Sequence, residues 1–171
     1  GDRGLALDHE ILRAVVGSTA HGLAIDGQDD RYEMGIYIPP AEYVCGLAEP
    51  KTHIWRTQPE GARSGPGDTD LTIYALRDWM KLAATGNPSI LVLLFVPGSA
   101  LVVRTEEGDR LRAMAPALLS RQAGHRFIGY LHAQRERMDG RGKQNRVPNR
   151  PELVEKYSYD VKYAGHALRL G

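Results

Sequence analysis

Residues Arg13 to Pro40 read RAVVGSTAHGLAIDGQDDRYEMGIYIPP, and few folds accommodate that order of parts. A β-branched apolar run, Ala14 to Val16, stops at Gly17-Ser18. A polar loop carrying Asp26, Asp29, Asp30 and Glu33 follows, and a second β-like run extends from Met34 to Ile38 before Pro39-Pro40. The pattern predicts strand, tight Gly-Ser turn, acidic loop and strand. Carboxylates gathered beside a backbone corner suit a hard cation, because oxygen ligands hold Mg²⁺ while N–H groups exposed at a turn hold the phosphates it bridges. Phosphoryl chemistry is therefore the leading reading of this stretch.

The rest of the chain sets limits on that reading. With 171 residues, 42% of them hydrophobic and 25% charged, it is long enough to bury a core and is composed like an ordinary globular protein. Its longest apolar stretch, Ile90 to Val96, is too short to span a bilayer, and the charged N-terminus does not read as a signal peptide. A single cysteine, Cys45, allows no internal disulfide and no Cys-based zinc site, so a cytoplasmic protein is expected. The net charge of +1 conceals an asymmetry. Residues 1–100 hold 8 Lys and Arg against 13 Asp and Glu, a net of −5; residues 101–171 hold 14 against 8, a net of +6. An acidic half and a basic half suit a metal-dependent site with a polyanion-holding surface, or simply two sets of solvated helix faces.

Further along, Ala41 to Cys45 reads as one helical turn and His53 to Arg56 as a short strand. Asp70 to Tyr74 alternates as a third strand and runs straight into a helix whose Leu76, Trp79, Met80 and Ala83 share one face. Asn87 caps a following helix with Pro88 at its first position, and Ala100 to Arg104 is extended. From Thr105 the pattern is helical, which places a boundary between 1–104 and a helical region, 105–171. Thr105 to Leu119 breaks near Pro116, Ser120 caps a helix to about Met138, and Asp139 to Arg150 is a Gly-rich basic loop. A last helix, Glu152 to Leu170, runs to the end of the sequence, so a longer protein is expected.

Two features carry chemistry beyond the opening stretch. Asp70 begins a strand expected beside the one following the acidic loop, where neighbouring strands could aim carboxylates at one metal; alternatively, it caps a turn. On the last helix, Tyr159, Lys162, His166 and Arg169 are spaced 3, 4 and 3, along one face that could stack a base and hold phosphates, or be an exposed amphipathic surface. His21 is read as a locally bonded residue rather than a base, and Gly17-Ser18 lacks the Gly-x-Ser-x-Gly elbow of a hydrolase.

Taken together, GSTAHGLA, DLTIYALRDWMKLAATGNPSILVLLF and KYSYDVKYAGHALRL resemble the DNA polymerase β-like nucleotidyltransferase superfamily. Within it, they are similar to the predicted nucleotidyltransferase branch associated with RNA repair. The resemblance implies an α+β fold, a mixed sheet flanked by helices and followed by a helical C-terminal region. It implies two Mg²⁺ held by three carboxylates, and transfer of a nucleotide from a nucleoside triphosphate to a hydroxyl acceptor such as RNA. Carried over, Asp30 is the first member of an Asp-x-Asp pair and Asp70 the third carboxylate. Gly17 and Ser18 would bind the triphosphate, and Lys162 and His166 lie on the family's distal helix, where Lys162, His166 and Arg169 are the expected nucleotide-binding residues. The second Asp position falls on Tyr32, a phenol that does not replace a carboxylate at neutral pH. Glu33 is the adjacent substitute, and it serves as catalytic and metal residue if the backbone there is irregular. The alternative is a catalytically silent nucleotide- or RNA-binding relative; a third is an interaction protein whose basic loop binds RNA alone.

Overall fold

The computed structural model describes residues 2–17, 31–47, 49–59, 67–141 and 151–170. Packing divides the chain into two compact units, Gly1–Leu119 and Ser120–Gly171. The first is built on a five-stranded mixed sheet of order β3-β4-β2-β1-β5. Its strands are β1 (Glu10–Val16), β2 (Arg31–Tyr37), β3 (His53–Arg56), β4 (Thr69–Ala75) and β5 (Leu101–Arg104). Around them come helices α1 (Asp2–Asp8), α2 (Ala41–Cys45), α3 (Leu76–Ala84), α4 (Pro88–Leu91), α5 (Glu106–Ala113) and α6 (Ala115–Leu118). The expected α+β class is the one the chain adopts. Among the described residues no helix is long and apolar enough to cross a membrane.

β2 and β4 pair in parallel, and the other pairings are antiparallel. A parallel pair cannot close with a hairpin, so residues 38–68 form the crossover and contribute α2 and the edge strand β3. Partners in register share a face, which sorts the side chains. One face carries Glu33, Gly35 and Tyr37 opposite Leu71, Ile73 and Ala75. There Tyr37, Leu71, Ile73 and Ala75 form a core cluster with Ala6 of α1, flanked by Leu7 and Trp55. Buried Tyr37 keeps its hydroxyl satisfied by donating to the Lys51 carbonyl at 2.8 Å. The other face carries Tyr32, Met34 and Ile36 opposite Asp70, Thr72 and Tyr74.

At the opposite edge a bulge at Ile11 breaks the β1–β2 register between Glu10 and Leu12. Thr105 bonds to the Ile11 carbonyl twice, through its backbone N–H at 3.2 Å and its hydroxyl at 3.0 Å. The same hydroxyl accepts the Gly108 N–H at 3.2 Å and so caps α5. α5 thus lies on β1, and Gly108 is buried where it crosses.

In the second unit, α7 (Arg121–Met138) begins at Ser120, whose hydroxyl accepts the Ala123 N–H at 3.1 Å, and packs against α9 (Val161–Leu170). α8 (Pro151–Tyr157) precedes α9. The single helix expected over Glu152–Leu170 is two helices. Ser158 takes a left-handed φ of 65°, and the Asp160 carboxylate accepts the Lys162 N–H at 3.0 Å, starting a new helix. Tyr159 falls in the break, so it does not share a helix face with Lys162 and His166.

Candidate active site

The site grows from one rung of the sheet. Val16 pairs with Tyr32, Tyr32 with Asp70, and Asp70 with Arg56, so four strands contribute one residue each to a single line across the sheet. At roughly 4.8 Å between strands, the line from β1 to β3 spans about 14 Å. Gly17 follows Val16 directly and takes a φ of 95°, a left-handed conformation that ends β1 and suits glycine. The expected Gly turn is thus at the end of this rung; Ser18 lies outside the described residues, as do His21, Asp26, Asp29 and Asp30.

Asp70 is largely buried and engaged. Its Oδ1 accepts from Gln58 Nε2 at 2.9 Å and stands 3.5 Å from Arg56 Nε. Arg56 is 60% exposed, so its guanidinium faces both Asp70 and solvent. Beside Asp70, the Tyr32 hydroxyl lies 3.4 Å from the Thr72 hydroxyl, a long contact that leaves Tyr32 weakly held. Tyr74, on the same face, has its phenol pushed above its ordinary value by burial and by neighbouring Tyr32. Arg56 and Gln58 were not singled out in the sequence. His53–Arg56 is readable as a strand, but its antiparallel pairing with β4, which delivers both side chains to Asp70, is a tertiary fact.

Glu33 does not join this group. β2 is regular from Arg31 to Tyr37, so Tyr32 and Glu33 alternate and Glu33 faces the other side of the sheet, opposite Leu71. The irregular backbone that would let Glu33 share a metal with Asp70 is absent from this strand. Instead Glu33 is buried among cations: Arg31 Nε touches one oxygen and Arg13 Nη1 is 3.4 Å from the other. Arg13 Nε also stands 3.4 Å from Glu10. Gly35 makes room for this chain of charges, because a Cβ there would lie 2.9 Å from Glu10 Oε1.

Burial pushes the Glu10 carboxyl up to about 7; Arg13 opposes the shift and Glu33 adds to it. In the unfolded chain the same carboxyl ionises near its ordinary value of about 4.3. The folded state therefore holds the proton more tightly, and this contribution to stability is full below about pH 4.3 and lost as pH rises through about 7. Glu10→Gln should leave Tm nearly unchanged at pH 4 and raise it at pH 8, by roughly 2–4 °C for each kcal/mol of charge-burial cost removed. Thermal melts at the two pH values check this; equal shifts at both would contradict it.

Of the remaining expected residues, Lys162 and His166 lie one turn apart on α9, Lys162 exposed and His166 half-buried. The Arg169 side chain lies outside the described residues. Among the described residues no three His, Cys, Asp or Glu side chains gather to hold a metal. The rung offers one carboxylate beside a phenol, which does not fit a two-cation centre by itself.

Residues 7–171 match the RlaP family, the RNA repair pathway DNA polymerase beta family. The chain belongs to that family. Among solved structures, a nucleotidyltransferase-like protein from Exiguobacterium sibiricum 255-15 matches this chain with a TM-score of 0.42 and 9% identity. The match covers 98% of this chain and 51% of the other, so this chain spans about half the length of that protein. No curated protein matches it.

Proposed function

We propose that this RlaP-family chain binds a nucleoside triphosphate at the Val16–Tyr32–Asp70–Arg56 rung and transfers its nucleotide to a hydroxyl acceptor, RNA first among them. The observation that carries the reading is the rung itself. A left-handed glycine turn, a carboxylate and an exposed guanidinium converge at one end of the β2–β4 pair. Gly17 and Ser18 would cradle phosphate through backbone N–H groups, and Arg56 would bind a phosphate oxygen once its hold on Asp70 relaxes. Gln58 and Arg56 fix the Asp70 carboxylate in one orientation. Asp30 and Asp70 are the carboxylates we assign to Mg²⁺, which when bound would neutralise charge on the triphosphate. Lys162, His166 and Arg169 of the helical region are assigned to nucleotide or acceptor binding. A cytoplasmic location accompanies this reading.

A second reading has its own support. Tyr32 stands where the family pattern places a second Asp, so a chain that binds nucleotide or RNA without catalysis is the alternative. Isothermal titration of each nucleoside triphosphate, with and without Mg²⁺, separates the readings when repeated on Asp70→Asn. The transferase reading expects Mg²⁺-dependent binding weakened at least about tenfold by the substitution, a change of about 1.4 kcal/mol. Absence of binding in every arm would sink the triphosphate site, and Mg²⁺-independent binding would favour the silent relative.

A further inference from the structure

α7 presents two unlike sides. Ala123, Phe127, Tyr130 and Gln134 are buried or half-buried on the side packed in the second unit. On the opposite side, Arg121, His125, Ile128, His132 and Arg135 fall at i, i+4, i+7, i+11 and i+14, and all are exposed. At 1.5 Å per residue this straight stripe is about 21 Å long.

Two observations separate the stripe from an ordinary solvated helix face. On a solvated face, acids one turn away stabilise a helix by pairing with its cations. Here Arg121 and Arg135 make no ion pair with a described residue, and the acid on this part of the helix, Glu136, is 3.7 Å from Arg141. The stripe is also flanked by Gly124 and Gly129, both exposed, and a Cβ on either would meet nothing within 4 Å. Neither has the positive φ that calls for glycine. No described residue demands them, and each weakens the helix relative to alanine. A surface that a sugar-phosphate backbone must approach closely gains from a missing Cβ beside free guanidinium groups.

We propose that this face of α7 docks the backbone of single-stranded RNA. The inference rests on reading RNA as the acceptor, and it assigns the acceptor a surface on the second unit. Arg121 and Arg135 would contact phosphates, Ile128 would lie against a sugar or base, and the two glycines would allow the strand to sit against the helix backbone.

The test is fluorescence anisotropy of the whole chain with a labelled 20-nucleotide mixed-sequence RNA, without nucleotide or metal, from 50 to 300 mM salt. Arg121→Gln/Arg135→Gln is expected to weaken binding several-fold and to reduce the log–log salt slope by about 1.4, as loss of two phosphate contacts to a single strand requires. Gly124→Ala/Gly129→Ala is expected to raise Tm by about 2–4 °C yet weaken RNA binding several-fold, opposite signs that a purely structural role would not produce. An unchanged slope in the arginine variant, RNA affinity unmoved by the two alanines, or no RNA binding by the parent chain would overturn the proposal. So would competition by polyglutamate equal to that of RNA, which would reassign the face to an acidic protein. Binding through α7 by a chain that takes up no triphosphate would sink the transferase reading and leave the dock standing.

Discussion

Tyr32→Asp should create a divalent-cation site at the rung. The parallel register sets residue 32 beside Asp70 on the same sheet face, one strand spacing of about 4.8 Å away. Two carboxylates at that distance bridge one divalent cation and repel each other without it. The variant is therefore expected to lose Tm in EDTA, through repulsion and the lost phenol, and to regain it with Mg²⁺. At a concentration 100 times Kd, binding adds about 2.7 kcal/mol of stability. Mg²⁺-dependent triphosphate affinity should rise at least about tenfold, and pyrophosphate release by about a hundredfold or more, since a positioned cation is worth several kcal/mol in the transition state. Paired melts and titrations with and without Mg²⁺ decide the matter. A variant whose Tm and affinity ignore Mg²⁺ would show that this rung does not hold the metal.

Gly108→Ala should cost about 3 kcal/mol of stability, the upper end of ordinary overpacking. The added methyl would lie 2.2 Å from the Ile11 carbonyl oxygen, 3.1 Å from its carbon and 3.3 Å from Leu12 Cβ. The obstacle is backbone, so no rotamer change relieves it. The helix must lift, and lifting it breaks the two bonds Thr105 makes to that carbonyl. Tm is expected to fall by about 6–12 °C, at 2–4 °C per kcal/mol. Gly98→Ala is the control, because its Cβ meets nothing within 4 Å; it should stay within about 0.5 kcal/mol of the parent. A Gly108 variant as stable as that control would mean that α5 does not lie on β1 this closely.

Local signals carried much of the fold. Alternation marked β4, the Asn87-Pro88 pair marked the start of α4, and Ser120 marked the start of α7, because each is written in adjacent residues. The break at Ser158 was hidden, because helical periodicity runs through it; only Asp160, acting as a cap, betrays the new start. Asp70 was legible as a strand carboxylate next to the second strand, and it is there. Its partners Arg56 and Gln58 were not, since nothing in a short strand announces which neighbour it joins. Glu10 gave no sign of its burial, which follows from Gly35 on another strand, and Gly108 read as any helical glycine until α5 was seen crossing β1.

The parallel pairing of β2 with β4 also separates what this chain can vary in length from what it cannot. Thr57 and Thr69 clasp the base of the segment between them: the Thr57 N–H donates to the Thr69 carbonyl at 3.1 Å, and the Thr69 N–H donates to the Thr57 hydroxyl at 2.9 Å. Residues can be added or removed beyond that clasp without altering the phase in which β4 enters the sheet. One residue inserted between Thr69 and Asp70 would instead exchange Asp70 for a neighbour on the other face, and the chain would keep its sheet while losing its carboxylate. Length is free on one side of Thr69 and forbidden on the other.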